Sequence, residues 1–140
     1  MTAPLSIRFA PSLLARLRQR ANAMTGASVA GLAQRLIGEG LRMADHPGVI
    51  FKDGPSGRRA ALAYGPDVWE VIKLLREIDE RGPAAIDAAA EVFALDCSRI
   101  TSAMSYYGDY ADEIDAEIAE ADETSARAEA AWRIQQRLIA

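Results

Sequence analysis

The chain has 140 residues, half of them hydrophobic and 26% charged, a composition typical of a globular protein and not of a disordered tail. It contains no apolar run of about 18 residues that could span a bilayer. Its first residues also lack the basic segment and continuous apolar core of a signal peptide. We therefore expect a cytoplasmic protein with no membrane partner.

Cys97 and His46 are the only cysteine and the only histidine. A single cysteine cannot form an internal disulfide, and one cysteine with one histidine is too few for a zinc-type ligand cluster. We therefore expect no metal and no cofactor. We place His46, beside Pro47 and Gly48, in a linker, and Cys97 in a semi-buried position near a helix start. Without a poised base or nucleophile, we expect no catalytic residues and no enzyme.

The net charge of −4 divides unevenly along the chain. Residues 1–60 contain nine basic and three acidic side chains, a net charge of +6, and the remainder has a net charge of −10. This asymmetry suggests two partners of opposite charge preference. Two unrelated solvated surfaces would give the same count.

The first predicted element is a strand, because Leu5 to Phe9 alternate apolar and polar residues. Pro11 suits the first turn of a helix. The apolar residues of that helix recur every three or four positions and share one face: Leu13, Leu14, Leu17, Ala21 and Met24. Ser28 can cap a second helix that ends at His46.

Apolar residues flank the sequence DGPSG, so residues 49–62 are predicted to form a β-hairpin. Helices are predicted at 67–80, at 84–93 and from Asp96 or Ser98 onwards, with an Ala-rich helical end from Thr124. The long helix should bury Ile100, Met104, Tyr107, Ala111, Ile114 and Ile118. The predicted domains are 1–46, 47–121 and a tail, 122–140, in a mainly α fold.

A strand and two helices in about 45 residues cannot enclose a core alone. Pairing the strand with its symmetry mate gives a two-stranded antiparallel ribbon, with Leu5, Ile7 and Phe9 on the helices and Ser6 and Arg8 outward. Such a ribbon fits the major groove of B-DNA, where arginine can bind guanine. The outward residues are therefore candidate base readers.

The stretch LSIRF, the helix from PSLLARL to MTG and the opening GASVAGLAQRLI resemble the ribbon-helix-helix superfamily of Arc, MetJ and CopG. The resemblance covers roughly Pro4 to Ala44. It implies a dimer that reads operator DNA through Pro4, Ser6 and Arg8 and clamps a phosphate at Ser28 and Val29. A helix start attracts anions in any case. Further phosphate contacts are expected at Arg16 and Arg20, with Arg18 as another candidate, although such arginines can also simply face water.

In the second half, GPSGRR, DVWEVI and YYGDYADEID are similar to domain of unknown function family 433, small modules with a helix-turn-helix-like core. Members often occur in type II toxin-antitoxin modules beside PIN-type nucleases, which implies a VapB-like antitoxin. Ser98, Arg99 and Ser102 form an alternative DNA-reading face. The acidic surroundings argue against that alternative.

The acidic stretch DYADEIDAEIAEADE and the residues after it are the candidate toxin-binding segment. The expected contacts are an apolar seam with a tryptophan anchor and basic residues that pair with toxin carboxylates: Ile114, Ile118, Trp132, Arg127, Arg133 and Arg137. A solvated helix face is the simpler interpretation. We thus expect a homodimeric repressor and antitoxin of a PIN-type ribonuclease. The alternative is a regulator with a C-terminal sensor or oligomerisation domain and no toxin. Whether dimers pair into tetramers stays open.

Overall fold

The computed structural model describes residues 3–140, which form six helices and one two-stranded antiparallel sheet. The prediction of a mainly α fold with a β-hairpin is confirmed. The chain divides into an N-terminal unit that ends at Arg42 and a C-terminal unit, 43–140. The predicted boundary lay four residues later, and the predicted tail belongs to the C-terminal unit. Residues 1 and 2 of the predicted first domain lie outside the described residues.

The N-terminal unit consists of two helices preceded by a segment, 3–10, that is neither helix nor strand in the single chain. Helix α1 (Pro11–Asn22) begins with its proline in the first turn, and α2 is Val29–Asp45. Gly26 adopts φ +75° between them, which glycine tolerates without strain. The buried core of this unit is small: Leu17, Ala21 and Leu32.

The C-terminal unit begins with a hairpin of β1 (Val49–Gly54) and β2 (Gly57–Leu62), as predicted. The register pairs Val49 with Leu62 and Gly54 with Gly57. Gly57 has φ +129°, and a Cβ at Gly54 would lie 2.4 Å from Arg59 Nε. The turn therefore depends on Gly57 for its backbone conformation, whereas a side chain at Gly54 would displace that of Arg59.

Four helices complete the C-terminal unit: α3 (Val68–Glu77), α4 (Pro83–Phe93), α5 (Cys97–Asp109) and α6 (Ala111–Leu138). A capping box between Asp67 and Glu70 begins α3. The structure differs from the sequence prediction after α4. The predicted long helix breaks at Tyr110, which has φ −130° and ψ 39°, and the predicted tail continues α6 without interruption.

The core of the C-terminal unit lies where the hairpin meets α3, α5 and α6. Its largest fully buried side chains are Tyr106, Leu62, Ile100, Ile114, Val49, Val68 and Val71. Helix α5 buries Ile100, Ala103 and Tyr106, so the predicted face was displaced: Met104 is 39% exposed and Tyr107 is only partly buried. Tyr106 is accommodated because its hydroxyl donates to Glu113 Oε2 at 2.9 Å.

Ala94 ends α4 in the left-handed conformation, with φ 53° and ψ 48°. A Cβ is unfavourable there, so Ala94→Gly should raise the free energy of unfolding by about 1 kcal/mol. Ala88→Gly, inside the same helix, should lower it by a similar amount because glycine is a poor helix former. Chemical denaturation measures both changes. Destabilisation by both substitutions would contradict the assigned helix end.

Candidate nucleic-acid and partner-binding surfaces

The N-terminal unit exposes more large apolar side chains than it buries. Leu5, Ile7, Leu13, Ile37 and Leu41 are between 47% and 81% exposed, against three buried core residues. Where exposed apolar side chains of a soluble protein lie together in a large patch, that patch marks an interaction site. The surface of this unit is therefore suited to a partner that covers its apolar side.

Helix α1 contributes most of an open groove of about 410 Å³ that is also lined by Leu36 of α2. Leu13 and Leu17 form part of its wall, and Arg16 and Arg20 line it beside them. The two predicted phosphate contacts therefore share this groove with apolar residues. Arg18 lies outside its lining, so the structure separates it from the other two.

The start of α2 has the arrangement expected of an anion site. Ser28 Oγ accepts a hydrogen bond from the amide of Gly31 at 3.0 Å, and its carbonyl accepts from Leu32 at 2.9 Å. Ser28 is thus the cap. The first amides of a helix, here those of Val29 and Ala30, have no intrahelical acceptor. No acidic residue occupies this turn, so its dipole favours an anion.

The predicted base readers Pro4, Ser6 and Arg8 are exposed in the segment before α1. Their apolar neighbours Leu5 and Ile7 are exposed as well. A single chain therefore does not distinguish the reading face from the core face of this segment. The strand and the reader roles stay predictions.

The two units have opposite charges. Residues 1–42 contain six basic and one acidic side chains, a net charge of +5, whereas residues 43–140 contain ten basic and nineteen acidic ones, a net charge of −9. Arg8, Arg16, Arg18 and Arg20 are all exposed. Such a basic surface attracts phosphate, and the acidic unit repels it.

The alternative DNA-reading face on α5 is occupied by contacts within the chain. The Arg99 guanidinium donates to the carbonyl of Ala63. The hydroxyls of Thr101 and Ser102 donate to the carbonyl of Ser98 at 2.8 and 3.0 Å. These side chains contribute to local structure, which gives no support to a helix-turn-helix reader.

Two of the six predicted toxin contacts were assigned wrongly. Ile114 is fully buried and Ile118 is 6% exposed, both in the core of their own unit, so neither can contact another protein without unfolding. They pack inward because the first turns of α6 lie on α3 and α5.

The other four predicted toxin contacts lie on the C-terminal half of α6, where every residue from Asp122 onwards is exposed. Trp132 is 57% exposed. Arg127 pairs with Glu123 and Arg133 with Glu129, one helical turn apart. Arg137 lies in the last turn, where a cation is favourable.

His46 lies in the connection between α2 and β1, as predicted, but its side chain is buried there. Its Nε2 lies 2.8 Å from Asp109 Oδ2, and its Nδ1 lies 3.3 Å from Ser105 Oγ. The three side chains are those of a hydrolase triad, but the two ring nitrogens are exchanged, because in a triad the serine contacts Nε2 and the aspartate Nδ1. In addition, Ser105 lies inside α5, where backbone amides bond within the helix and cannot form an oxyanion hole. The contacts instead fix the residues before β1 against α5.

Cys97 is exposed, not semi-buried as predicted. Its thiol donates to Asp87 Oδ1 at 3.3 Å, and this hydrogen bond is the main reason why the pKa of the thiol is raised. A raised pKa disfavours the thiolate, which is the nucleophilic form. Cys97 is therefore poorly suited to covalent chemistry.

Asp67 connects the hairpin to the start of α3. Its carboxylate accepts from Trp69 Nε1 at 3.0 Å and lies 2.8 Å from Lys52 Nζ, with Arg59 further away at 3.6 Å. The half-buried Glu117 of α6 lies near this group, and its pKa is raised to about 7, chiefly by burial and then by repulsion from Glu113. The sequence offered no signal for this cluster, because its members are far apart along the chain.

A scan against protein-family models, a search of curated proteins and a search of solved structures each returned no match to this chain. Across residues 3–140, no group of three or more histidine, cysteine or acidic side chains is arranged to hold a metal ion. No helix in the same range is long and apolar enough to cross a membrane.

The raised pKa of Glu117 predicts a pH-dependent stability. The unfolded carboxyl has a pKa of 4.5 and the folded one a pKa of about 7, so the folded state binds more protons between these values. The free energy of unfolding should rise as the pH falls from 8 to 5. Glu117→Gln should stabilise the protein at pH 8 and weaken this dependence. The control Glu91→Gln, at an exposed position of α4 that does not contribute to the shift, should retain it, and an unchanged profile in Glu117→Gln would reject the assignment.

Proposed function

We propose that this protein is a cytoplasmic, homodimeric transcriptional repressor that binds operator DNA through its N-terminal unit and acts as the antitoxin of a type II toxin-antitoxin pair. The observation that carries the DNA-binding part is the combination, in residues 3–42, of an uncovered apolar surface with a strongly basic one. The antitoxin part is supported by the uncovered C-terminal half of α6.

A second copy of the chain is the partner that best suits the apolar surface. Burying a leucine or isoleucine side chain fully contributes about 1.5–3 kcal/mol. Five such side chains, which are 47–81% exposed in the single chain, in each of two protomers give an upper estimate that is comparable with the association cost of about 4–15 kcal/mol. In the dimer, residues 5–9 of both chains would form an antiparallel ribbon, and Leu5 and Ile7 would turn inward.

DNA is the partner that suits the other side of such a dimer. A ribbon with Ser6 and Arg8 outward fits the major groove, where a guanidinium can bind both O6 and N7 of guanine. The amides at Val29 provide a phosphate site, and Arg16 and Arg20 provide further positive charge. Each phosphate neutralised should change the slope of log K against log salt by about −0.9.

The antitoxin role uses the C-terminal half of α6. Trp132 is an exposed aromatic anchor of the kind that dominates protein interfaces, and Arg127, Arg133 and Arg137 can pair with carboxylates. A PIN-type ribonuclease, whose active site is rich in acidic side chains, is the proposed toxin. A regulator without a toxin, in which this region serves as a sensor or oligomerisation element, is the alternative.

Arg8→Ala should weaken operator binding by about 1–3 kcal/mol and leave the dimer folded, because it removes a base contact without touching the core. Arg137→Ala, an exposed arginine of the C-terminal unit, is the matched control and should leave DNA binding unchanged. Fluorescence anisotropy on operator and scrambled DNA at fixed salt measures both. Equal loss on both DNAs would reassign Arg8 to the phosphate backbone, and no loss would remove it from the interface.

Deleting residues 124–140 should spare operator binding but abolish protection against the toxin. Co-expression with the neighbouring gene product, scored by growth, tests the second part, and Trp132→Ala should reproduce the loss. Full protection by the truncated chain would reject the antitoxin assignment. Failure of the two gene products to form a complex would favour the regulator without a toxin.

A further inference from the structure

The last turns of α6 form an amphipathic helix. Four large apolar residues, Trp132, Ile134, Leu138 and Ile139, are 57–83% exposed within eight positions. At 100° per residue they fall within one broad arc, whereas Glu129, Arg133 and Arg137 lie on the opposite side. We call residues 124–140 the tail. It contains three arginines and one acidic residue, so it has a net charge of +2 on a unit that is otherwise strongly acidic.

The same unit contains an apolar groove of about 420 Å³. Leu75 at the end of α3, Ala85 and Ile86 at the start of α4 and Met104 of α5 line it. Met104, 39% exposed, offers a flexible side chain that adapts to what binds it. The volume is within the range of sites that take side chains or small ligands.

One acidic side chain, that of Glu80, lines this groove, and Glu77, Asp79 and Asp87 are near it in sequence. Arg81 also lines the groove, but its guanidinium donates to the carbonyls of Ile78 and Glu80. The groove therefore suits an apolar segment with basic residues beside it, which is the chemistry of the tail.

The tail cannot reach the groove of its own chain. Arg76 of α3 pairs with Asp115 and Lys73 pairs with Asp122, so α6 runs antiparallel to α3. It leaves the core in the direction away from the end of α3, where the groove lies. At 1.5 Å per residue, Trp132 is about 15 Å beyond Asp122, and the helix is continuous throughout.

We propose that the tail docks in the α3–α4–α5 groove of a second copy of the chain. Trp132 or Leu138 fills the apolar groove, and the long side chain of Arg133, about 100° from Trp132 around the helix, reaches towards Glu80 at the edge of the groove. This association is separate from the proposed pairing of N-terminal units. A toxin that binds Trp132 would compete with it.

The mass of the full chain in solution tests the proposal, measured by light scattering at several concentrations. The wild type should associate to about twice the mass of two variants: Trp132→Ala with Leu138→Ala, and Met104→Glu. Val92→Glu places the same charge at an exposed position of α4 outside the groove lining and should leave the mass unchanged. Glu80→Lys, at an exposed rim position, should weaken the association without touching the core.

Mixing the tail variant with Met104→Glu provides the decisive step, because one retains an intact groove and the other an intact tail. The mixture should recover association that neither variant shows alone. Loss of association in the tail variant but not in Met104→Glu or Glu80→Lys would place the tail on another surface and overturn the proposal. Identical masses for wild type and all variants would also overturn it. Operator binding by the tail variant should be unchanged whether or not the tail docks in the groove. Measuring it therefore separates failure of the docking proposal from failure of the proposed DNA-binding function.

Discussion

Two helices and a short extended segment do not provide enough side chains to enclose a hydrophobic core, and this constraint determines how the N-terminal unit can exist in water. Leu17, Ala21 and Leu32 are buried, while Leu5, Ile37 and Leu41 remain largely exposed. Covering the latter by a second copy satisfies the constraint and at the same time gives residues 5–9 a strand to pair with. In the proposed dimer the basic side chains of the unit would lie on the surface, where DNA is the partner that we propose.

The C-terminal unit differs from the N-terminal unit in two respects: it encloses its own hydrophobic core, and its net charge has the opposite sign. Its basic side chains largely serve its own structure: Lys52 and Arg59 at Asp67, Arg76 at Asp115, Arg99 at Ala63. Only the projecting end of α6 combines exposed apolar residues with positive charge. We therefore propose nucleic-acid binding for the N-terminal unit and protein binding for this projecting helix.

Much of the fold could be predicted from local sequence signals. Pro11, Ser28, the DGPSG turn and Gly82–Pro83 marked element boundaries correctly because turn and cap chemistry is local. Hydrophobic periodicity predicted the wrong buried face of α5, because two faces of this helix are similarly apolar. Tyr106 and Tyr107 are adjacent in sequence, and only tertiary packing decides which of them is buried. The break at Tyr110 follows Gly108, a helix-weakening residue that the sequence prediction did not use. The burial of His46 could not be predicted, because it depends on Ser105 and Asp109, some sixty residues away in sequence. Ile114 and Ile118 could not be assigned either, because the sequence pattern suits a partner-binding face and a core face equally.

Sedimentation equilibrium at micromolar concentration tests the central claim most directly, on the full chain carrying Trp132→Ala and Leu138→Ala so that tail association does not contribute. We predict a dimer, with a mass of about twice that of the 15.1 kDa chain. The additional substitution Leu41→Glu should convert this dimer to a monomer. A chain that is monomeric and retains a folded N-terminal unit would contradict the account, because the exposed apolar surface would then need no second copy.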